Sequence, residues 1–109
     1  MSAPRLVDRV LGALADPHRR RVIELLSVEP RRAGDLAREV GLAPPSMSRH
    51  LRALREARLV DEESPMGDAR VRIYRLRPQP MAHLKAWLED AERAWNEQAA
   101  ASEQDRRGT

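Results

Sequence analysis

The chain of 109 residues has no cysteine, which excludes disulfides, thiolate metal sites and thiol redox sensing and fits an intracellular protein. It also has no phenylalanine, and its aromatics are two Trp and one Tyr, so the core has to be aliphatic. No apolar run approaches the roughly 18–20 residues that span a bilayer. The opening segment, "MSAPRLVDRVLGALADP", carries too many charges for the apolar stretch of a secretory signal. A soluble, cytoplasmic protein with no membrane partner is therefore expected. Glycine-rich phosphate loops are missing, no Ser/His/Asp set is spaced for nucleophilic catalysis, and the carboxylates are scattered over helix exteriors. Nothing sets up an enzyme.

Charge is plentiful but nearly balanced. Charged residues make up 34% of the chain and leave a net charge of only +3, so distribution matters more than total. Between Pro44 and Arg77 there are eight Arg against five Asp/Glu; from Pro78 onward, four Lys/Arg face six Asp/Glu. A polyanion should therefore dock on the middle of the chain and avoid the tail.

Hydrophobic spacing divides the chain into a single domain over about residues 5–100. "RLVDRVLGALA" (5–15) repeats Leu6, Val7, Val10, Leu11 and Leu14 at helical intervals. A second helix begins at "DPHRRRVIELLSV", with Asp16 as N-cap and Pro17 in a first turn that needs no N–H. "EPRRA" reads as a loop. "AGDLAREVGL" predicts a short helix stopped by Gly41. The link "GLAP" leads into "PPSMSRHLRALREARLV". The stretch "LVDEESPMGDARVRIYRL" predicts a β-hairpin, with Val71 and Ile73 inward and Arg70, Arg72, Arg75 and Arg77 outward. A long helix follows from about Gln79, striped by Leu84, Trp87, Leu88, Ala91, Ala94 and Trp95, and residues 101–109 read as a disordered tail. The fold class is mainly α with one small hairpin, in the order α-α-α-α-β-β-α.

The segment from residue 44 carries the chemistry. Projected at 100° per residue, Met47, Leu51 and Leu54 fall within about 60° and must face the core. Ser46, Arg49, Arg52, Ala53 and Glu56 lie opposite, with Ser48 and His50 at the margins. A face of small hydroxyls and arginines without bulky apolar groups suits a DNA major groove about 12 Å wide. Ser adds a hydrogen-bonding group at no steric cost, and Arg reaches guanine or phosphate with two N–H groups. Taken alone, such a face more often reads as the solvated side of a structural helix. Its neighbours favour DNA: a short helix just upstream, a basic hairpin just downstream, and the acidic balance moved to the far helix.

"LADPHRRRVIELL" (14–26), "DLAREVGLAPPSMSRHLRALREARLV" (35–60) and "RVRIYRL" (70–76) resemble the winged helix-turn-helix repressors of the ArsR/SmtB family, over about residues 5–100. The resemblance implies a homodimeric transcription regulator, a repressor on an inverted-repeat operator in double-stranded DNA. It places Pro45, Ser46, Ser48, Arg49, His50 and Arg52 at the DNA surface, with the hairpin from Gly67 to Arg72, including Arg70 and Arg72, as the wing. It also implies a dimer seam from the helices at 5–15 and 80–100: Leu6, Val10, Leu11 and Leu14 with Leu84, Trp87, Leu88, Ala91 and Trp95. Independently, two Trp eight residues apart on one helix face would leave a large apolar patch on a monomer, unless they are ordinary core residues.

Departures from the family matter equally. The cysteines that many relatives carry before the recognition helix are absent from "DLAREV". Aligning the last-helix metal pattern of other relatives on His83 yields Met81, His83, Ala94 and Glu97, only two ligands, so no metal site and no cofactor is expected. Position 58, usually Gly in the family, is Arg, which implies a locally different helix end because a left-handed Arg costs about 1 kcal/mol or more. Ala43 offers no side-chain cap, and Pro44 removes a polar group that relatives aim at a base, so readout leans on Ser46, Arg49 and DNA shape. His18 reads as a surface or capping residue and His83 as solvent-facing, while for His50 a phosphate contact and packing against the preceding helix both stay open. Two further functions stay open: a derepressor of this fold answering to a metal or an unidentified small-molecule effector, and a winged helix that binds a protein partner.

Overall fold

The computed structural model describes residues 5–68 and 70–108. Its elements are α1 (Leu6–Leu14), α2 (Pro17–Val28), β1 (Arg31–Arg32), α3 (Ala33–Val40), α4 (Pro44–Glu56), β2 (Val60–Glu63), β3 (Ile73–Leu76) and α5 (Pro78–Arg107). Between β2 and β3 lies a single tight turn at Pro65–Gly67. Among the described residues no helix is long and apolar enough to cross a membrane.

Local chemistry sets the helix boundaries. The Asp16 carboxylate accepts from the N–H groups of His18 at 2.8 Å and Arg19 at 3.2 Å, and Pro17 occupies the first turn of α2. α3 ends where Gly41 adopts φ 81°, with the N–H groups of Gly41 and Leu42 both on the Ala37 carbonyl at 2.9 Å. α4 starts without a side-chain cap, as the identity of Ala43 requires.

Met47, Leu51 and Leu54 of α4 are sealed in the core with Leu36 and Ala37 of α3 and Val22, Leu25 and Leu26 of α2. Fully burying each of the α4 residues contributes about 1.5–3 kcal/mol, enough to fix which face of α4 looks outward. Helix α1 lies across both α5 and α2.

The wing differs from a two-stranded hairpin. β1, within the expected "EPRRA" loop, adds a third strand in the order β1-β3-β2, all antiparallel. Arg31 pairs with Tyr74 and Arg32 with Ile73, while Val60 pairs with Leu76 and Glu62 with Tyr74. Two residues of an apparent loop pair because β3 would otherwise present an open edge beside them. The strand parity also corrects the sequence reading. Tyr74 is the residue turned inward, 5% exposed, while Ile73 is only partly covered. Arg70 and Arg72 precede the strand, which starts at Ile73.

The last helix runs on to Arg107, through the stretch read as a tail from residue 101, with Arg107 pairing to Glu103 at 3.0 Å near its end. Thr109 of that tail and Ala69 of the wing lie outside the described residues. At 30 residues, α5 is roughly 45 Å long and dominates the 70 Å longest dimension.

Candidate nucleic-acid interface

The three sealed side chains of α4 leave Pro45, Ser48, Arg49 and Arg52 exposed on its other side, with Ser46 half-buried. Arg49 donates to the Ser46 hydroxyl at 3.2 Å, so two of the expected DNA-facing residues already share one surface. Neither Arg49 nor Arg52 has a carboxylate partner among the described residues. The first turn offers less to a phosphate than an ordinary helix start, because Pro44 and Pro45 lack N–H groups and Met47 already donates to Ala43 at 3.1 Å. Ser46 holds the remaining amide there.

The wing cations are different: each has an acidic partner. Asp68 holds Arg70 at 3.1 Å, Glu62 holds Arg72 at 3.5 Å, Asp61 holds Arg77 at 3.6 Å, and Glu63 pairs with Arg75. The Asp68 carboxyl is held below its ordinary pKa chiefly by the Arg70 side chain and backbone N–H. Unpaired positive charge is therefore concentrated on α4, not on the wing.

Glu62 links the two elements. Its carboxylate meets Arg55 of α4 at 2.9 Å and Arg72 of the wing at 3.5 Å, and it accepts from the Tyr74 hydroxyl at 3.0 Å. Burial, reinforced by this hydrogen bond and the negative charge of Glu62, pushes the Tyr74 pKa above its ordinary value. Sequence reasoning missed the linkage of Arg55, Glu62 and Tyr74, because it depends on the strand register and on how α4 packs over the sheet. A buried Tyr opposite Glu in a strand pair was its one available signal.

His50 turns toward α2, away from a purely outward position. Its Nδ1 accepts from Arg19 Nε at 3.2 Å, and its ring lies 5.6 Å from that of His18. The partner is α2, not the preceding helix α3.

The residues expected along a dimer seam separate into two groups. Val10, fully buried, and Leu84, 7% exposed, belong to the core of the single chain, where α1 packs against α5. Neither can offer surface to a second chain. Leu6, Leu14 and Ala91 are partly covered. Leu11, Trp87, Leu88 at 50% and Trp95 at 76% remain exposed, joined by Met81, which sequence reasoning did not include. They leave large apolar side chains exposed on α5 and, at Leu11, on α1, where a monomer would rather bury them.

The family model described as "Bacterial regulatory protein, arsR family" matches residues 16–62, from the cap of α2 through α4 into β2. The HTH-type transcriptional regulator Rv2034 of Mycobacterium tuberculosis is 41% identical over 95 residues, which is 87% of this chain and 83% of that protein. The transcriptional repressor SdpR of Bacillus subtilis is 34% identical over 56 residues, 51% of this chain and 62% of its own length. Among solved structures, a homodimeric winged helix-turn-helix DNA-binding domain from Mycobacterium bovis superposes with a TM-score of 0.64 at 26% identity, over 84% of this chain and 82% of its own.

Proposed function

The chain belongs to the arsR family of bacterial regulatory proteins, and we propose that it works as a homodimeric repressor on an inverted-repeat operator. As a winged helix-turn-helix transcriptional regulator of a non-enzymatic family, it needs a surface for DNA and not a reaction centre. The observation that carries the proposal is the outward face of α4: Ser46, Ser48, Arg49 and Arg52 on a helix whose opposite face is locked into the core, with unpaired arginines there and paired ones on the wing.

In the proposed complex α4 lies in the major groove. Arg49 and Ser46 read base edges, and Arg52 takes a phosphate. Pro45 stiffens the helix start at the duplex surface. Arg70 and Arg72 reach the flanking backbone once they exchange Asp68 and Glu62 for phosphate. His50 braces the flank of α4 through Arg19 and contacts DNA only at the edge of the footprint. The exposed apolar group of Leu11, Met81, Trp87, Leu88 and Trp95 joins two copies, supported by the homodimeric state of the superposing Mycobacterium bovis domain. A two-fold pair presents two recognition helices to half-sites about one helical turn apart, which is why a palindromic site follows. Repression, by occluding a promoter, is supported by the repressor role of the SdpR relative.

Footprinting on the DNA upstream of the protein's own gene, at moderate salt, tests this reading. A protected inverted repeat bound by two chains is expected, with affinity falling steeply as salt rises. Affinity for that DNA equal to that for random duplex would defeat the specific-repressor claim. A stable complex with a protein partner in its place would turn the reading toward a protein-binding winged helix.

A further inference from the structure

At the edge of the DNA-facing surface, three metal-ligating side chains meet where the start of α2 touches α4. One ligand atom each from Asp16, His18 and His50 lies within 4.8 Å of the others. The His18 and His50 rings stand 5.6 Å apart at an interplanar angle of 54°, and His18 Nδ1 is 3.7 Å from Asp16 Oδ1. We propose that Asp16, His18 and His50 form a three-ligand site for a borderline divalent transition ion of the zinc, cobalt or nickel kind, with a water in the fourth position.

The donor chemistry fits such an ion: two imidazole nitrogens and one carboxylate oxygen suit it better than they suit calcium or magnesium, which take oxygen shells. The carboxylate is already fixed and ionised. Its Oδ1 accepts from the N–H groups of His18 and Arg19, while Oδ2 accepts no hydrogen bond among the described residues. Burial alone would raise the Asp16 pKa, yet the backbone N–H groups of Arg19 and His18, with the nearby His50 and Arg19 side chains, hold it below its ordinary value. Oδ2 is thus a negatively charged acceptor left over after capping.

The cluster has to contract to close on an ion. Metal–ligand bonds of about 2.0–2.1 Å in a tetrahedron place ligand atoms roughly 3.3 Å apart, so separations of up to 4.8 Å must shrink by at most about 1.5 Å. His18 can supply that movement because its side chain is 49% exposed on the first turn of α2. His50 must also give up the hydrogen bond its Nδ1 accepts from Arg19 Nε at 3.2 Å. Arg19 is a cation already held on His50 Nδ1, so binding an ion there displaces one positive group from His50 for another. An ion there would pin the flank of α4 to α2 and release the Arg19 guanidinium beside the DNA-facing helix. The separation of His18 and His50 in sequence makes the site a cross-link between two elements, not a local chelate.

The test is a titration of the full, untagged chain with Co²⁺ alone, followed by visible absorption. One equivalent per chain with the intense bands of a four-coordinate ion is expected. His18→Ala should abolish those bands. Asp16→Asn, which keeps a side chain able to cap α2, should weaken binding by more than the roughly 10–100-fold lost with an outer-shell partner. His83→Ala should change nothing, since His83 is exposed on α5, far along the chain from the cluster. Circular dichroism confirms that each variant is folded, and exposed His18 gives no reason for the alanine variant to unfold. Absence of one-equivalent binding, or full binding retained in His18→Ala, would overturn the site.

Discussion

Arg58 offers the sharpest test of the local physics. It sits at φ 61°, in the region that L-residues avoid, where the sequence reading expected the helix end to change in order to escape that strain. The structure keeps the left-handed ending with Arg in it. The Arg58 N–H donates to the Arg55 carbonyl at 2.9 Å and the Leu59 N–H to the Leu54 carbonyl at 3.0 Å. Those are the two bonds of a Schellman ending, and buried Leu54 and Leu59 provide the apolar contact that accompanies it. The tertiary packing of these two leucines over-determines the turn. An L-residue pays about 1–2 kcal/mol to hold that backbone. Glycine escapes this cost but loses roughly 0.4–1 kcal/mol through a freer unfolded chain. Arg58 is exposed and has no ion pair among the described residues, so little else changes. Arg58→Gly should therefore stabilise the fold by about 0.5–1 kcal/mol. Thermal unfolding at one fixed protein concentration reads this as a rise of roughly 2–5 °C. Gly41→Ala is the mirror experiment. Its φ is 81° and nothing lies within 4 Å of the added Cβ, so with no clash the predicted net loss of about 0.5–1 kcal/mol is backbone strain less the gain from a stiffer unfolded chain. A melting point for Arg58→Gly equal to or below that of the parent would refute the reasoning.

On DNA, Arg49→Ala should weaken binding to the operator by about 1–3 kcal/mol and relax base preference, read by titration against matched and mismatched duplexes. Arg52→Ala should lower the slope of log affinity against log salt by about one, whereas Arg75→Ala should lower it far less because Glu63 already occupies Arg75. The Tyr74 hydroxyl should ionise above the ordinary tyrosine range in an ultraviolet absorbance titration. Because the raised pKa belongs to the folded state, its stabilisation is present below the ordinary pKa and is lost as pH rises through the folded one. Glu62→Gln should bring the Tyr74 pKa only part of the way down, since burial is the larger cause. Leu88→Glu places a charge among the exposed apolar side chains of α5 and should convert the dimer to monomer in sedimentation, with operator binding lost and the fold retained; a dimer that survives it would remove α5 from the seam.

Much of this protein was legible in the chain itself because its signals are local. Asp16 before Pro17, Gly41 after Val40, and the interval of Met47, Leu51 and Leu54 each depend on neighbours within one or two helical turns, and each appears as read. The outward serine and arginine face of α4 follows from the same periodicity. What pairs across distance was not legible. β1 exists because the open edge of β3 arrives beside Arg31 and Arg32, and Tyr74 faces inward because of the register set by Val60 with Leu76. Val10 and Leu84 carried the same helical spacing as the exposed seam residues, and only the crossing of α1 over α5 separated them. Asp16, His18 and His50 looked like three unrelated residues until α2 met α4. Helix periods and caps are written in short-range sterics and hydrogen bonds; strand register, ion-pair partners and ligand clusters are decided when distant segments are brought into contact.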